Sequence, residues 1–512
     1  MKNLRICVIR VIILTSLFFT GCTNLDETVY DQVLADEYGT TEEQINSIIG
    51  PIYRTLKDLF PGNYYRMVEC ASDMDVLPTR KGGDWWSGGA NKDLKLHTWT
   101  PNNGYIQGAY EDCMANVSTC NLIYYTIENS EADIQNRQQV LAEIRGVRAF
   151  WYYVLIDNWG NVPIVTDFTD ISNPATKTRK EVYEFIISEL NEIKNLVRTD
   201  VSSSSYGKIT KGVIYTLLAK MYLNAMVWNP DGGAKWQECA NACDTVMSLG
   251  YGLEADWTVN FQVHNETSTE TIFPIVFSSS DGGNQIAQRT LHYLDPIALG
   301  LNLETWNGFS AMPDYIKSFD PDDKRKAWSF LTGAMINPDT GDTIITAHGR
   351  PLIHSEEITM KYNIDEDGWG YAEQEDGARC YKWEYEKGLS TDMENDFAIF
   401  RFADIYLMKA EALVRMGKDN AIATQLVNKI RERGFDDASK LKSSVTLDDI
   451  YYERRFEFAW EAMGRQDQIR YGTFLDETPG WKKAESDNHT ELFPIPQTVL
   501  DANPLLVQNP GY

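Results

Sequence analysis

The sequence predicts a mostly α fold, a degenerate tetratricopeptide-like scaffold of helix pairs interrupted by an irregular, loop-rich insertion bearing short strands. Two observations predict the scaffold. Apolar residues recur at spacings of three and four from Thr41 to about Leu249, and again from Arg401 to Arg470. Three segments also read as variants of one unit: RAFWYYVLIDNWG from Arg148, GVIYTLLAKMYLNAMVW from Gly212 and FADIYLMKAEALVRMG from Phe402. Each lays small and aromatic residues along one stripe, which lets neighbouring helices approach closely, although no strict 34-residue period is present. The third observation predicts the insertion. Between Gly250 and Asn395 the punctuation turns to Gly, Ser, Pro, Asn and Asp, as in SSSDGGNQ from Ser278 and NPDTGD from Asn337.

In chain order, residues 1–21 read as a signal peptide. Lys2, Arg5 and Arg10 precede an apolar run, Val11 to Phe19, that is too short to span a bilayer. Thr20 and Gly21 lead into Cys22 as in a bacterial lipobox, so Cys22 is the expected lipidation site and residues 22–40 a lipid-anchored tether. The helical scaffold follows over 41–250, in blocks near 42–59, 104–128, 132–158, 179–197, 210–228 and 235–249. A candidate binding loop interrupts it at about 78–101. The irregular ligand-binding insertion takes 251–395, with strand-like runs such as Thr271 to Phe277, and C-terminal helices and the tail take 396–512.

Composition narrows the function. Loss of Lys2, Arg5 and Arg10 with the signal lowers the basic count from 47 to 44 against 74 acidic residues, a formal charge of −30. Such a surface repels phosphate backbones and argues against a nucleic-acid partner. No P-loop, dinucleotide fingerprint, nucleophile elbow or zinc-protease helix occurs, and the six His residues show no ligand spacing. Beyond Cys7 and Cys22, the six cysteines at 70, 113, 120, 239, 243 and 380 read as buried free thiols; Cys239 and Cys243 share a helix face without a zinc-like partner pair. Asp365, Asp367 and Gly368 resemble a calcium loop, but the Gly comes too early for an EF-hand. They read as a solvated acidic loop, with a structural calcium ion as the alternative to no cofactor.

The chain holds 14 Trp and 27 Tyr, more than its core needs, so some stand at surfaces or in pockets. Trp85 and Trp86 are flanked by Gly82, Gly83, Gly88 and Gly89, with Asp73, Arg80 and Asp84 nearby. A Gly-rich loop cannot bury two indoles by itself: they either plug the scaffold or are displayed. A displayed indole suits the C–H face of a pyranose, while carboxylate and guanidinium groups bond hydroxyls at its edge. Trp306, and Trp369 with Tyr371, lie in the other irregular region and are expected to converge on the same site.

FRFADIYLMKAEALVRMG from Phe400, VNKIRERG from Val427, ERRFEFAWE from Glu453 and the terminal LFPIPQTVLDANPLLVQNPGY together resemble the SusD/RagB family of outer-membrane nutrient-binding lipoproteins. LDETVYD, TTEEQINSIIGPIY, WTPNNGYI and WNGFSAMPDYIKSFDPDDKR fall in the family's order. The resemblance implies a SusD-like fold, no catalytic residue, and a surface-facing lipoprotein that captures oligosaccharides for a SusC-like TonB-dependent outer-membrane transporter. Asp26 and Glu27 are similar to the acidic signal that sends such lipoproteins to the cell surface. The family's aromatic arc maps onto Trp85, Trp86, Tyr293 and Trp306. One segment departs: Glu461 to Gln468 carries polar residues at the family's aromatic positions, which puts the packing of that last helix in question. ERRFEFAWE itself reads as structural, with Phe456, Trp460 and Met463 on one face and Arg454 paired with Glu457. The rival readings are a peptide-binding member of the family, a lipoprotein glycoside hydrolase, which requires two carboxylates across an aromatic cleft, and a helical adaptor.

Overall fold

The computed structural model describes residues 39–361 and 363–512; the signal peptide, Cys22 and most of the tether lie outside them. Helices α1 (Glu42–Arg54), α2 (Asn63–Ala71) and α3 (Ala90–Leu96) open the chain. The scaffold proper is α4 (Gly104–Glu128), α5 (Arg137–Asn158), α6 (Arg179–Ile193), α7 (Lys211–Leu223) and α8 (Trp236–Met247). It resumes with α9 (Phe402–Arg415), α10 (Asn420–Gly434), α11 (Leu447–Glu457) and α12 (Gly464–Tyr471).

Each scaffold helix packs on its neighbour in sequence: α4 on α5, α5 on α6, α7 on α8, and α9 on α10. The insertion is bridged by direct packing of α8 on α9. This is the ladder of helix pairs that the spacing predicts, and its blocks agree with the expected ones to within a few residues. Capping boxes fix three starts. Thr41 and Gln44 begin α1, Thr178 and Glu181 begin α6, and Thr446 and Asp449 begin α11. Two helices are unexpected. α2 is short and buried along one continuous run, Tyr65 to Ala71, its charged Arg66 and Glu69 included, and α3 lies within the loop expected to be irregular.

The insertion contributes only short antiparallel pairs: β1 (Asp75–Val76) with β3 (Ser310–Ala311), β2 (Thr271–Ile275) with β8 (Phe397–Arg401), β4 (Phe330–Leu331) with β7 (Arg379–Cys380), and β5 (Gly333–Ala334) with β6 (Ile353–His354). The β2–β8 pair joins the two ends of the insertion at the base of α9, while β1–β3 ties the segment just before the 78–101 loop to it.

A buried ion network holds the C-terminal helices to this base. Arg401 donates to Glu270, Glu457 and Glu461; Arg433 to Glu270 and Glu457; and Arg325 to Asp323 and Glu457. A second chain runs Lys220, Asp404, Arg454, Asp467, Arg470, Glu411. Two expectations for ERRFEFAWE are thereby corrected. Arg454 pairs with Asp404 and Asp467 rather than Glu457, which is taken by Arg401, Arg433 and Arg325. Phe456, Trp460 and Met463 share no helix face, because α11 ends at Glu457 and Trp460 turns to φ 65°.

The polar Glu461–Gln468 segment is packed. Arg465 reaches Asn158 and the Glu491 carbonyl and stacks on Phe493 at 4.5 Å, and Gln466 donates to Tyr153. The tail motifs form a clasp. Gln508 pairs with both backbone groups of Ile495, Asn509 donates to the Trp159 and Phe493 carbonyls, and Trp99 donates to Tyr512. The six described cysteines are buried free thiols. Among the described residues no helix is long and apolar enough to cross a membrane.

Candidate functional site

The 78–89 loop turns sharply at Gly82 and Gly83, whose φ values of 113° and 98° suit glycine alone, and is closed by Gly83 N–H to Arg80 O at 2.9 Å. Trp85 then adopts φ 63°, a left-handed backbone that costs a large side chain roughly 1–3 kcal/mol and persists only where its surroundings over-determine it. Three contacts do so here. Asn91 donates to the Trp85 carbonyl at 2.8 Å, the Trp85 indole N–H donates to the Trp306 carbonyl at 2.6 Å, and the Arg66 guanidinium of α2 lies 5.2 Å from the Trp85 ring centre.

Trp306 comes from the far side of the insertion. Its segment is clamped on the short helix Ile286–Thr290: Trp306 N–H donates to Gln288 O at 2.6 Å and Phe309 N–H to Arg289 O at 2.9 Å. Gly308 makes the approach feasible. A Cβ there would collide with the Arg289 carbonyl and stand 3.1 Å from the Trp85 ring. Arg289 lies under Trp306, 5.5 Å from a ring centre. Tyr293 bridges back by donating to Asp84 Oδ2 at 2.7 Å, and burial together with that carboxylate raises its phenol well above the usual range. The result joins Trp85, Tyr293 (39% exposed) and Trp306 (36%) in one aromatic rim, with Tyr105 sharing the Arg66 guanidinium with Trp85; Trp86, 41% exposed, turns back over Gly89 of its own loop.

Three of the sequence-nominated residues therefore converge, Trp85, Tyr293 and Trp306; Trp86 is displayed beside them in sequence without a contact to the other rings, and four lie elsewhere. Arg80 is fully buried and donates to the carbonyls of Asn307, Gly308, Glu373 and Asp376 and to Ser310 Oγ, so no donor is left for a sugar edge. Beside it Arg379 grips Asn307 Oδ1 and the Gln374, Asp376 and Gly377 carbonyls. Burial first, then the mutual proximity of the two cations, pushes Arg80 well down; burial lowers Arg379 to about 10. Asp73 faces elsewhere, held in two-pronged fashion by Arg455 at 2.7 and 3.0 Å. Trp369 is buried, donating to Thr79 Oγ1 and packing edge-on against Trp481. Tyr371 is half-buried on the segment that pairs with the backbone at Arg80.

Arg66, Tyr105, Arg289 and Gly308 belong to the site without having been singled out. Tyr105 and Gly308 had a signal, since they stand in WTPNNGYI and at the start of WNGFSAMPDYIKSFDPDDKR. The carboxylates present are engaged as acceptors: Asp84 of Tyr293, and Asp392 of Gln285 and Gln288. Among the described residues no group of His, Cys, Asp and Glu is arranged to hold a metal. Asp365 and Asp367 instead share the ammonium of Lys92 at 3.0 and 3.4 Å, so the protein supplies its own cation there.

Two family models match, the SusD family over residues 269–512 and one described as starch-binding associating with outer membrane over residues 28–223. The chain is 25% identical over 473 residues to the starch-binding protein SusD of Bacteroides thetaiotaomicron, covering 83% of each chain. It is 24% identical over 493 residues to a SusD-like protein of Bacteroides ovatus, covering 91% of this chain and 82% of that one. Its fold matches the surface glycan-binding protein A of B. thetaiotaomicron, solved in complex with laminarihexaose, with TM-score 0.73 at 21% identity over 92% of this chain and all of that one. A SusD superfamily protein of Parabacteroides distasonis matches with TM-score 0.76, also at 21% identity and with the same coverage.

Proposed function

This chain belongs to the SusD family, and from that premise we propose that it is a non-enzymatic, lipid-anchored protein of the outer cell surface that captures oligosaccharides and passes them to a TonB-dependent transporter. The observation that carries the reading is the 2.6 Å bond from the Trp85 indole to the Trp306 carbonyl. It makes one rigid aromatic platform out of two loops more than 200 residues apart in sequence, at the cost of a strained backbone at Trp85. Pre-organised rings accept the C–H faces of sugars with little ordering on binding. The names of the starch-binding and laminarihexaose-bound relatives support a glycan as ligand. The lipobox at Cys22 and the outer-membrane description of one family model support the location, and the family's association with a transporter supports the partner.

A glycan array on the protein from Asn24 onward, followed by calorimetry, tests the reading. At least one oligosaccharide class is expected to bind and to survive incubation intact. Trp306→Ala should weaken it by about 1 kcal/mol or more, roughly fivefold, with an unchanged melting temperature. Binding of peptides with no glycan, or glycan affinity indifferent to Trp85→Ala and Trp306→Ala, would overturn it. Cys22→Ala should release the protein from membranes, and the wild type should co-purify a large TonB-dependent barrel.

A further inference from the structure

Two guanidiniums approach the aromatic rim from beneath, and neither meets a carboxylate. Arg66 is 8% exposed, with its guanidinium 4.2 Å from the Tyr105 ring centre and 5.2 Å from that of Trp85. Its Nε is buried without a hydrogen-bond partner, and its side chain makes no hydrogen bond with the described residues. Arg289 meets the Trp306 ring at 5.5 Å, its Nε is likewise buried and unpartnered, and it makes a single long hydrogen bond, 3.4 Å, to Gln285. The indole-to-carbonyl bond between Trp85 and Trp306 links the two rings against which the arginines lie.

The neighbouring acids compensate them only in part, through the field of Asp392 at Arg289. Asp392 is spent on Gln285 and Gln288, and Asp84 on Tyr293. Burial, then the positive charge of Arg66, lowers Arg289 to about 10. Ring faces return only part of what desolvating a cation costs. Two cations thus stand together at the aromatic rim with no ion pair among the described residues, Asp392 acting on Arg289 only at a distance.

We infer that the ligand carries an anionic group, a uronate carboxylate or a sulfate ester, that seats between Arg66 and Arg289 while its sugar rings stack on Trp85 and Trp306. This rests on the glycan-binding reading above. A planar guanidinium offers two parallel N–H donors to either oxyanion. The chain's net charge of −27 does not oppose it at close range, because charges beyond about 8 Å are screened at physiological ionic strength; it slows encounter instead.

The test is calorimetry on the soluble protein with matched pairs: galacturonan fragments against their methyl esters, sulfated galactan fragments against their desulfated counterparts, and neutral malto- and laminari-oligosaccharides. One charged member is expected to bind at least about tenfold more tightly than its neutral counterpart, and which pair responds separates carboxylate from sulfate. That affinity should fall as NaCl rises. Arg289→Gln and Arg66→Gln also loosen the platform that they support, so the test is the difference: each should cost the charged ligand at least about tenfold more than it costs the neutral counterpart. Should Arg66→Gln fail to fold, Arg289→Gln and the salt dependence decide. Equal affinity within every pair, or binding of neutral oligosaccharides alone, overturns the inference and leaves the glycan reading standing. Binding of no oligosaccharide in the panel overturns both.

Discussion

Arg401 and Arg66 are both buried guanidiniums of one chain, and they are treated in opposite ways. Arg401, 1% exposed, is held by Glu270, Glu457 and Glu461, and its relatives Arg325, Arg433, Arg454 and Arg470 are each matched to carboxylates by geometry as close as 2.6 Å. Arg66 meets only rings, and Arg289 a ring and one long hydrogen bond to Gln285. A charge that is fully paired inside the protein fixes architecture and has nothing left to offer a ligand; a charge stacked on indoles keeps its hydrogen-bonding edge in reserve. The C-terminal helices spend their arginines on the fold, and the rim saves its own.

The comparison breaks first, and hardest, at Arg401. Arg401→Gln leaves three buried carboxylates short of a partner and is expected to cost roughly 3–5 kcal/mol, read as a clear drop in urea midpoint and melting temperature. A change under about 1 kcal/mol would mean that the network is not what holds α9 to α11.

Acid sharpens it next. Burial alone would raise Glu411, yet Arg470 and Arg415 hold it down at about 2, and Arg433, Arg401 and Arg325 hold Glu457 lower still. Such carboxylates titrate near 4 in the unfolded chain, so their stabilisation is complete above about pH 4 and is lost as pH falls toward 2, at about 1.4 kcal/mol per pH unit for each. Asp396 works in the opposite sense. Burial raises it to about 6, so the folded chain binds that proton first and regains stability as pH falls from about 6 to 4. Urea unfolding is expected to show slightly greater stability at pH 5 than at pH 7 and a steep loss below 4. A flat profile from pH 5 to 2 would contradict the network's charge state.

The smallest effect is expected at the rim. Arg289→Gln should change folding stability by less than about 1 kcal/mol, because the ring contact it forfeits is offset by relief from burying an unmatched cation. A loss comparable to that of Arg401→Gln would erase the distinction between the two groups.

The helical ladder was legible in the sequence because α4, α6, α8 and α10 each bury one stripe and expose another, while α5 and α7, buried almost throughout, are long and repeat one small-and-aromatic unit. α2 was missed because it is nine residues long and carries Arg66 and Glu69 into the interior, where a charged residue is not expected. At the site, tandem indoles among glycines gave away Trp85 and the displayed Trp86 beside it, and the family's arc gave Tyr293 and Trp306. Arg80 and Trp369 were misjudged for one reason: nearness in sequence to a displayed residue says nothing about depth, and both point inward. Arg66 and Arg289 carried no signal at all. Their meaning comes from what is missing around them in three dimensions, and that is not written in any local motif. The same holds for Arg454, whose true partners lie 50 residues upstream and 13 downstream while the nearby Glu457 is engaged elsewhere.

Arg80 fastens the 307–310 and 373–376 segments almost wholly through main-chain oxygens, four carbonyls and one hydroxyl. Main-chain oxygens are the same whatever side chains those segments carry. The fastening is therefore indifferent to most substitutions at Trp86, Tyr293 or Trp306, and the exposed tips are free to drift while their mounting stays put. In evolutionary terms the molecule separates chassis from tooling: new specificities can be tried at the rim one residue at a time, each on an already folded protein.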